Sequence, residues 1–196
     1  MTEKPSARLF IAVELPALVK KELGKLQQQL GQQPDDAIKW VAPDSIHLTL
    51  KFLGNTPTDT VGEIAATLNL AVEGFTPFKV RLYGSGAFPN VQRPVVAWCG
   101  LGGSTDHLMR LQQAVEAAVS PLGFPAEKRP YSPHLTLARL KDYTPALSRQ
   151  SLSRRLITQS QYEGPWFEVK KVSLMQSRLT PSGPVYSRLA GCDLTG

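Results

Sequence analysis

Residues 45–53 read Ser-Ile-His-Leu-Thr-Leu-Lys-Phe-Leu, and residues 132–140 read Ser-Pro-His-Leu-Thr-Leu-Ala-Arg-Leu. Apolar and polar side chains alternate, the pattern of a half-buried strand. In the first stretch Ile46, Leu48, Leu50 and Phe52 share one face, with His47, Thr49 and Lys51 on the other. In the second, Leu135 and Leu137 lie opposite His134 and Thr136. The chain has three histidines, and two of them open an identical His-Leu-Thr-Leu. With 13 threonines in 196 residues, chance supplies two such His-x-Thr pairs roughly one time in a hundred, before the leucines are counted.

The pattern extends outward from this pair. His47 and His134 are 87 residues apart. Strands are expected at 8–14 and 78–83 and helices at 16–30 and 59–72 around the first copy; a long turn is expected at Gly84, Gly86 and Pro89. A shift of 87 carries these elements to a strand at 95–101, helices at 104–119 and 146–159, and a strand beginning near 166. The order β-α-β-α-β therefore occurs twice, over about 8–83 and 95–175, which predicts a duplicated lobe. Strands at 166–175 and 184–190 close the chain, the turn between them at Pro181-Ser182-Gly183.

Composition agrees with a single globular domain spanning 1–196: 42% of residues are hydrophobic and 19% charged. No apolar run approaches the ~20 residues of a membrane helix. The opening MTEKPSARLFIAVELP has too short an apolar stretch for a secretory signal, so a cytoplasmic location is expected. Cys99 and Cys192 make neither a disulfide framework nor a metal spacing, and no His-Glu-x-x-His is present, so no metal and no cofactor are expected. The glycine pairs at 84–86 and 100–103 complete no nucleotide-binding motif. A net charge of +6 points to an anionic partner.

On a strand, residues i and i+2 share a face, so His47 projects with Thr49 and His134 with Thr136. Two facing lobes would bring two imidazoles and two hydroxyls to one cleft. That set suits displacement at phosphorus. One imidazole takes a proton from the nucleophile and the other protonates the leaving oxygen, while the hydroxyls donate to the non-bridging oxygens.

The paired motifs, together with RLFIAV at 8–13 and RPYSPHLTLAR at 129–139, resemble the two-histidine (2H) phosphoesterases. The similarity is to the bacterial RNA 2′,3′-cyclic phosphodiesterases, the LigT-like "2′-5′ RNA ligases". The resemblance implies an α+β fold of two pseudo-symmetric lobes, each an antiparallel sheet with helices on its outer face, around a central cleft. It also implies hydrolysis of a 2′,3′-cyclic phosphate end of RNA to a 2′-phosphate, with reversible 2′-5′ ligation of tRNA halves in some members. His47 would then protonate the 3′ oxygen and His134 would activate water. The expected partner is RNA with cyclic-phosphate ends, bound by a monomer without metal or membrane. The alternatives are a non-catalytic RNA- or nucleotide-binding module, and an esterase for a small cyclic nucleotide or ADP-ribose cyclic phosphate.

Four further residues are candidates for substrate binding, each beside a plainer reading. Arg139 follows the second motif and would meet the phosphate only if the strand departs from strict alternation. Phe10 and Tyr131 offer rings to a nucleobase or simply pack. Arg178 is a phosphate ligand or a solvated strand-end arginine. His107, beside Asp106, reads as a helix start, and the basic run at 149–155 as a solvated helix face or an RNA contact.

Overall fold

The computed structural model describes residues 5–31, 35–181 and 183–196. Strand β1 (Ser6–Glu14) sends Ala7, Leu9, Ile11 and Val13 into the main core. By alternation Arg8, Phe10, Ala12 and Glu14 lie on its other face. Helix α1 (Ala17–Leu30) buries Val19, Leu23, Leu26 and Leu30, one stripe of a 3.6-residue repeat, and starts after Pro16. The remaining elements are β2 (Ile38–Trp40), β3 (His47–Pro57), α2 (Val61–Val72), β4 (Phe78–Phe88), β5 (Val96–Gly103), α3 (Thr105–Val119), β6 (Leu135–Leu140), α4 (Ala146–Thr158), β7 (Glu163–Val169), β8 (Lys171–Thr180) and β9 (Gly183–Asp193).

Three elements depart from the expected pattern. The short β2 has too few residues to show a period. Strand β4 runs on to Phe88 where a turn was expected, because Gly84, at φ 70°, absorbs a register shift and lets the ladder resume at Ser85. The single strand expected at 166–175 is two strands, divided at Lys170, where the chain leaves one sheet for the other. Ser182 of the expected turn lies outside the described residues.

Two antiparallel sheets form, in the orders β3-β1-β8-β9 and β2-β6-β5-β4-β7. Helices α2 and α3 pack together on the first sheet, against β9 and β3; α1 and α4 cover the second, against β7 and β4. The fold is thus α+β with two lobes, each a sheet backed by two helices. The lobes are not the two sequence repeats, however. Strand β4 belongs to the first repeat yet pairs with β5, and β8 belongs to the second yet pairs with β1. Likewise α1 follows β1 but covers the second sheet, and α3 follows β5 but covers the first. Each lobe is therefore built from both halves of the chain, and one hydrophobic cluster runs through both. Among the described residues no helix is long and apolar enough to cross a membrane.

Candidate active site

Both His-Leu-Thr-Leu segments break the alternation at the same place. Ala12 lies opposite Thr49 and Ile11 opposite Lys51, so Leu50 is an extra residue in β3. Trp98 lies opposite Thr136 and Ala97 opposite Ala138, so Leu137 is an extra residue in β6. A bulge leaves its residue unpaired and reverses the faces beyond it. Hence Lys51, expected beside His47, is buried; its ammonium donates to Glu116 Oε1 of α3 at 2.8 Å and to the Pro125 carbonyl at 2.6 Å. Phe52, expected in the core, is instead 57% exposed. In β6 the same reversal places Ala138 in the core and returns Arg139, opposite Val96, to the face of Thr136.

Buried glutamines donate to the carbonyls of both bulge residues, and the Leu137 carbonyl accepts from Val41 N–H as well, at 2.9 Å. Gln27 of α1 donates to Leu137 O at 2.9 Å and to Val41 O at 2.7 Å; Gln112 of α3 donates to Leu50 O at 3.5 Å. Each bulge is thus held by the first helix of the opposite repeat, a physical reason for the helices to cross between lobes.

The two imidazoles are oriented alike. His47 Nδ1 lies 2.9 Å from Ser45 O, and His134 Nδ1 lies 2.8 Å from Ser132 O. A carbonyl only accepts, so Nδ1 carries the hydrogen in both rings and each Nε2 is left for proton exchange. The His47 ring stacks on Phe10, centroids 4.6 Å apart, and meets Tyr186 of β9 edge-on at 4.9 Å. His134 meets the Phe88 ring edge-on at 4.8 Å. Among the described residues, no hydrogen bond engages the hydroxyl of Thr49, Thr136 or Tyr186.

Burial lowers the pKa of both histidines, so both rings are neutral near pH 7. The surrounding charges differ. At His47 the Lys20 ammonium adds to the lowering, whereas the Ser45 carbonyl and Glu14, its partner across the ladder, favour the imidazolium. At His134 the Ser132 carbonyl favours the imidazolium and the Arg139 guanidinium opposes it. Arg139 also acts on Tyr186, whose hydroxyl is held up chiefly by burial and lowered by Arg139 and Arg8. His134, Arg139, Tyr186 and His47 therefore form a run of neighbours spanning both sheets: Arg139 acts on His134 and on Tyr186, and Tyr186 meets His47 edge-on.

A family model described as the 2′-5′ RNA ligase superfamily matches residues 15–180, most of the chain. The chain belongs to that superfamily. Among its relatives, the RNA 2′,3′-cyclic phosphodiesterase of Methanocaldococcus jannaschii is 34% identical over 179 residues, which are 91% of this chain and 96% of the relative. That of Aeropyrum pernix is 37% identical over 152 residues, 78% and 84% of the two chains. The crystal structure of TT0787 of Thermus thermophilus is 32% identical and superposes with a TM-score of 0.78, covering 96% of this chain and 98% of that one. The E. coli LigT structure complexed with 3′-AMP shares the fold, with a TM-score of 0.77 at 22% identity over 98% of this chain and all of that one.

Within this member of the superfamily, not every expected binding residue reaches the histidines. Phe10 is 3% exposed and its face is taken by His47, which leaves no surface for a nucleobase; its role is to set the imidazole plane. Tyr131 is half-buried, and its hydroxyl donates to Thr49 O at 2.9 Å; it ties the segment before β6 to β3, and burial raises its pKa. Arg178 is exposed next to Ser177, and alternation turns it from the face that carries Phe10 and Met175. In the basic run, Arg149 donates to the carbonyls of Pro94, Thr144, Lys141 and Asp142, and Arg155 to Leu30 O, so both serve the fold. His107 begins α3 against Phe78. Tyr186, Phe88 and Glu14 escaped the sequence reading, because only strand pairing brings them to the motifs.

Proposed function

We propose that the chain hydrolyses the 2′,3′-cyclic phosphate ends of RNA to 2′-phosphates, by acid–base exchange between His47 and His134 and without a metal ion. His134 Nε2 accepts a proton from water as the water oxygen bonds to phosphorus. The P–O3′ bond breaks, and His47 Nε2, protonated once the negative phosphate of the substrate lies beside it, delivers its proton to O3′. The product carries a 2′-phosphate and a free 3′-hydroxyl, with each histidine left in the protonation state opposite to the one in which it began. Thr49, Thr136 and Arg139 donate to the non-bridging oxygens, where negative charge accumulates. A 5′-hydroxyl in place of water gives a 2′-5′ linkage by the same steps and needs no ATP.

The observation that carries this reading is the bulge shared by both motifs. It puts Arg139 on the face of His134 and Thr136, where it acts on Tyr186, the ring that meets His47 edge-on in the other sheet. At His134 the Arg139 guanidinium disfavours the imidazolium, as an acceptor requires; at His47 the larger charge effect, from Lys20, opposes protonation and the smaller, from Glu14, favours it, so the donor role of His47 is the one the resemblance implies. The relatives named RNA 2′,3′-cyclic phosphodiesterase support the substrate class. The test is to incubate the protein in EDTA with an oligoribonucleotide ending in a 2′,3′-cyclic phosphate and to identify the product by phosphorus NMR. A 2′-phosphate is expected. Turnover that is abolished by the chelator and restored by zinc or manganese would overturn the mechanism; tight binding without turnover would favour a binding module.

A further inference from the structure

The face of the second sheet that carries Thr136 and Trp98 runs along β5 past the level of His134. Trp98, Gly100 and Gly102 share that face, and Gly102 lies opposite Arg81, which lies opposite Trp166. His134 is level with Gly100, so at about 3.3 Å per residue Gly102 lies about 7 Å further along the strand. There the Arg81 guanidinium sits 5.1 Å from the Tyr83 ring centroid and 5.5 Å from that of Trp166. Glycine backbone lies under the rings: a Cβ on Gly103 would come 2.6 Å from the Trp166 ring, and one on Gly102 would come 3.2 Å from Tyr83 Cβ. Glu163 pairs with Arg81 at 3.1 Å, and Gln161 accepts from the Tyr83 hydroxyl at 2.7 Å. The cluster is therefore held by its own neighbours, yet Trp166 remains 54% exposed. A large ring fixed flat on a sheet and left open to water, continuous with a phosphate cleft, is a platform for planar groups.

We propose that Trp166, with Arg81 and Tyr83, is a stacking subsite for a nucleobase upstream of the cyclic phosphate in a single-stranded RNA. This rests on the proposed RNA substrate and extends it, since such a site rewards an oligonucleotide over a mononucleotide. Glu163 offsets the charge of Arg81, so the subsite stacks a base and does not grip a phosphate. Its contribution is accordingly insensitive to salt, while the cleft's hold on the phosphate weakens with salt.

The test separates binding from turnover. The dissociation constant of a 2′-phosphate-ended tetranucleotide is measured for the wild type, Trp166→Ala and Trp166→Phe, alongside kcat/KM on the cyclic-phosphate tetranucleotide and on a 2′,3′-cyclic mononucleotide. Trp166→Ala is expected to weaken tetranucleotide binding ~10-fold at both low and high salt, as loss of one stacked base does. Trp166→Phe should restore most of it, and mononucleotide turnover should be unchanged. A tetranucleotide with abasic upstream positions should bind wild type and Trp166→Ala equally. Equal binding of the intact tetranucleotide by both proteins, or an equal loss with the abasic one, overturns the subsite. Absence of turnover by the wild type overturns the proposed reaction instead and leaves the binding comparison to decide the subsite.

Discussion

After the shared bulge, the two His-Leu-Thr-Leu strands part company. Beyond Leu50 come a buried Lys51 and an exposed Phe52; beyond Leu137 come a buried Ala138 and an exposed Arg139. The equivalent place on the cleft face is thus a ring in one lobe and a guanidinium in the other. Around the histidines the asymmetry continues. His47 is walled by Phe10 and Tyr186 and has a carboxylate across the ladder, whereas His134 has one ring edge and an arginine. A symmetric frame delivers two imidazoles in one orientation, both held towards the neutral form by burial, and sets unlike neighbours around them.

The largest expected effect comes from deleting either imidazole. His47→Ala and His134→Ala should each lower kcat by ~10²- to 10⁴-fold, and the double variant by far less than the product of the two. Assayed on a substrate with an acidic leaving group, His47→Ala should recover activity and His134→Ala should not. Recovery by His134→Ala would reverse the roles.

The second comparison concerns the residue just past each bulge. Glu116→Ala strands the Lys51 ammonium in the core and should cost about 3 kcal/mol in urea unfolding. Lys51→Met removes the charge with its partner's need for it and should cost much less; equal losses would mean that Lys51 is solvated. The next residue along tests the cleft face. Arg139→Met should lower kcat/KM by ~10- to 100-fold, the worth of a hydrogen bond from a charged donor. Its counterpart Phe52→Leu should change kcat/KM by less than ~3-fold, as a substitution that keeps an apolar wall.

The glutamines differ in their grip, and so should their variants. Gln27 makes two bonds of 2.7 and 2.9 Å and Gln112 a longer one of 3.5 Å to its bulge. Gln27→Leu should therefore destabilise by about 1–3 kcal/mol, as the Val41 carbonyl loses its donor, and Gln112→Leu by less, read as the shift in denaturation midpoint.

The smallest effect is on stability against pH. Both histidines have folded pKa values below the unfolded ~6.5. The unfolded chain therefore binds protons first as pH falls. The contribution of neutral His47 and His134 is complete above pH ~6.5 and is lost on acidification towards their folded values. Replacing both histidines by Phe should flatten unfolding free energy over that range; an unchanged slope would place the acid sensitivity elsewhere.

The part of this architecture legible in the sequence is the local part. The alternation around His47 and His134 marks two strands, and the 87-residue shift finds their surroundings. The bulges are illegible, because the stretch 45–52 alternates without a flaw and yet Phe52 emerges on the cleft side. An extra residue is defined by the strand opposite, not by its own. Indeed β1 and β5 follow a shift of 98 − 12 = 86, one less than the motifs. For the same reason Phe10 reads as a candidate platform and proves to be the backing of His47. Arg139, which strict alternation would turn away, reaches the cleft by a register change that only the pairing of β6 with β5 reveals.

The interlacing of the repeats also sets an order of events during synthesis. Strand β1 leaves the ribosome ahead of β3 and can meet it early. Its other edge, however, stays open until β8 arrives some 160 residues later. Tyr186, which closes the wall around His47, comes later still, on β9. Long-range pairing of this kind is slow. A nascent chain halted before β8 thus carries both histidines, already translated, with His47 on a sheet whose edge is bare, and gains the Tyr186 ring beside His47 only with β9.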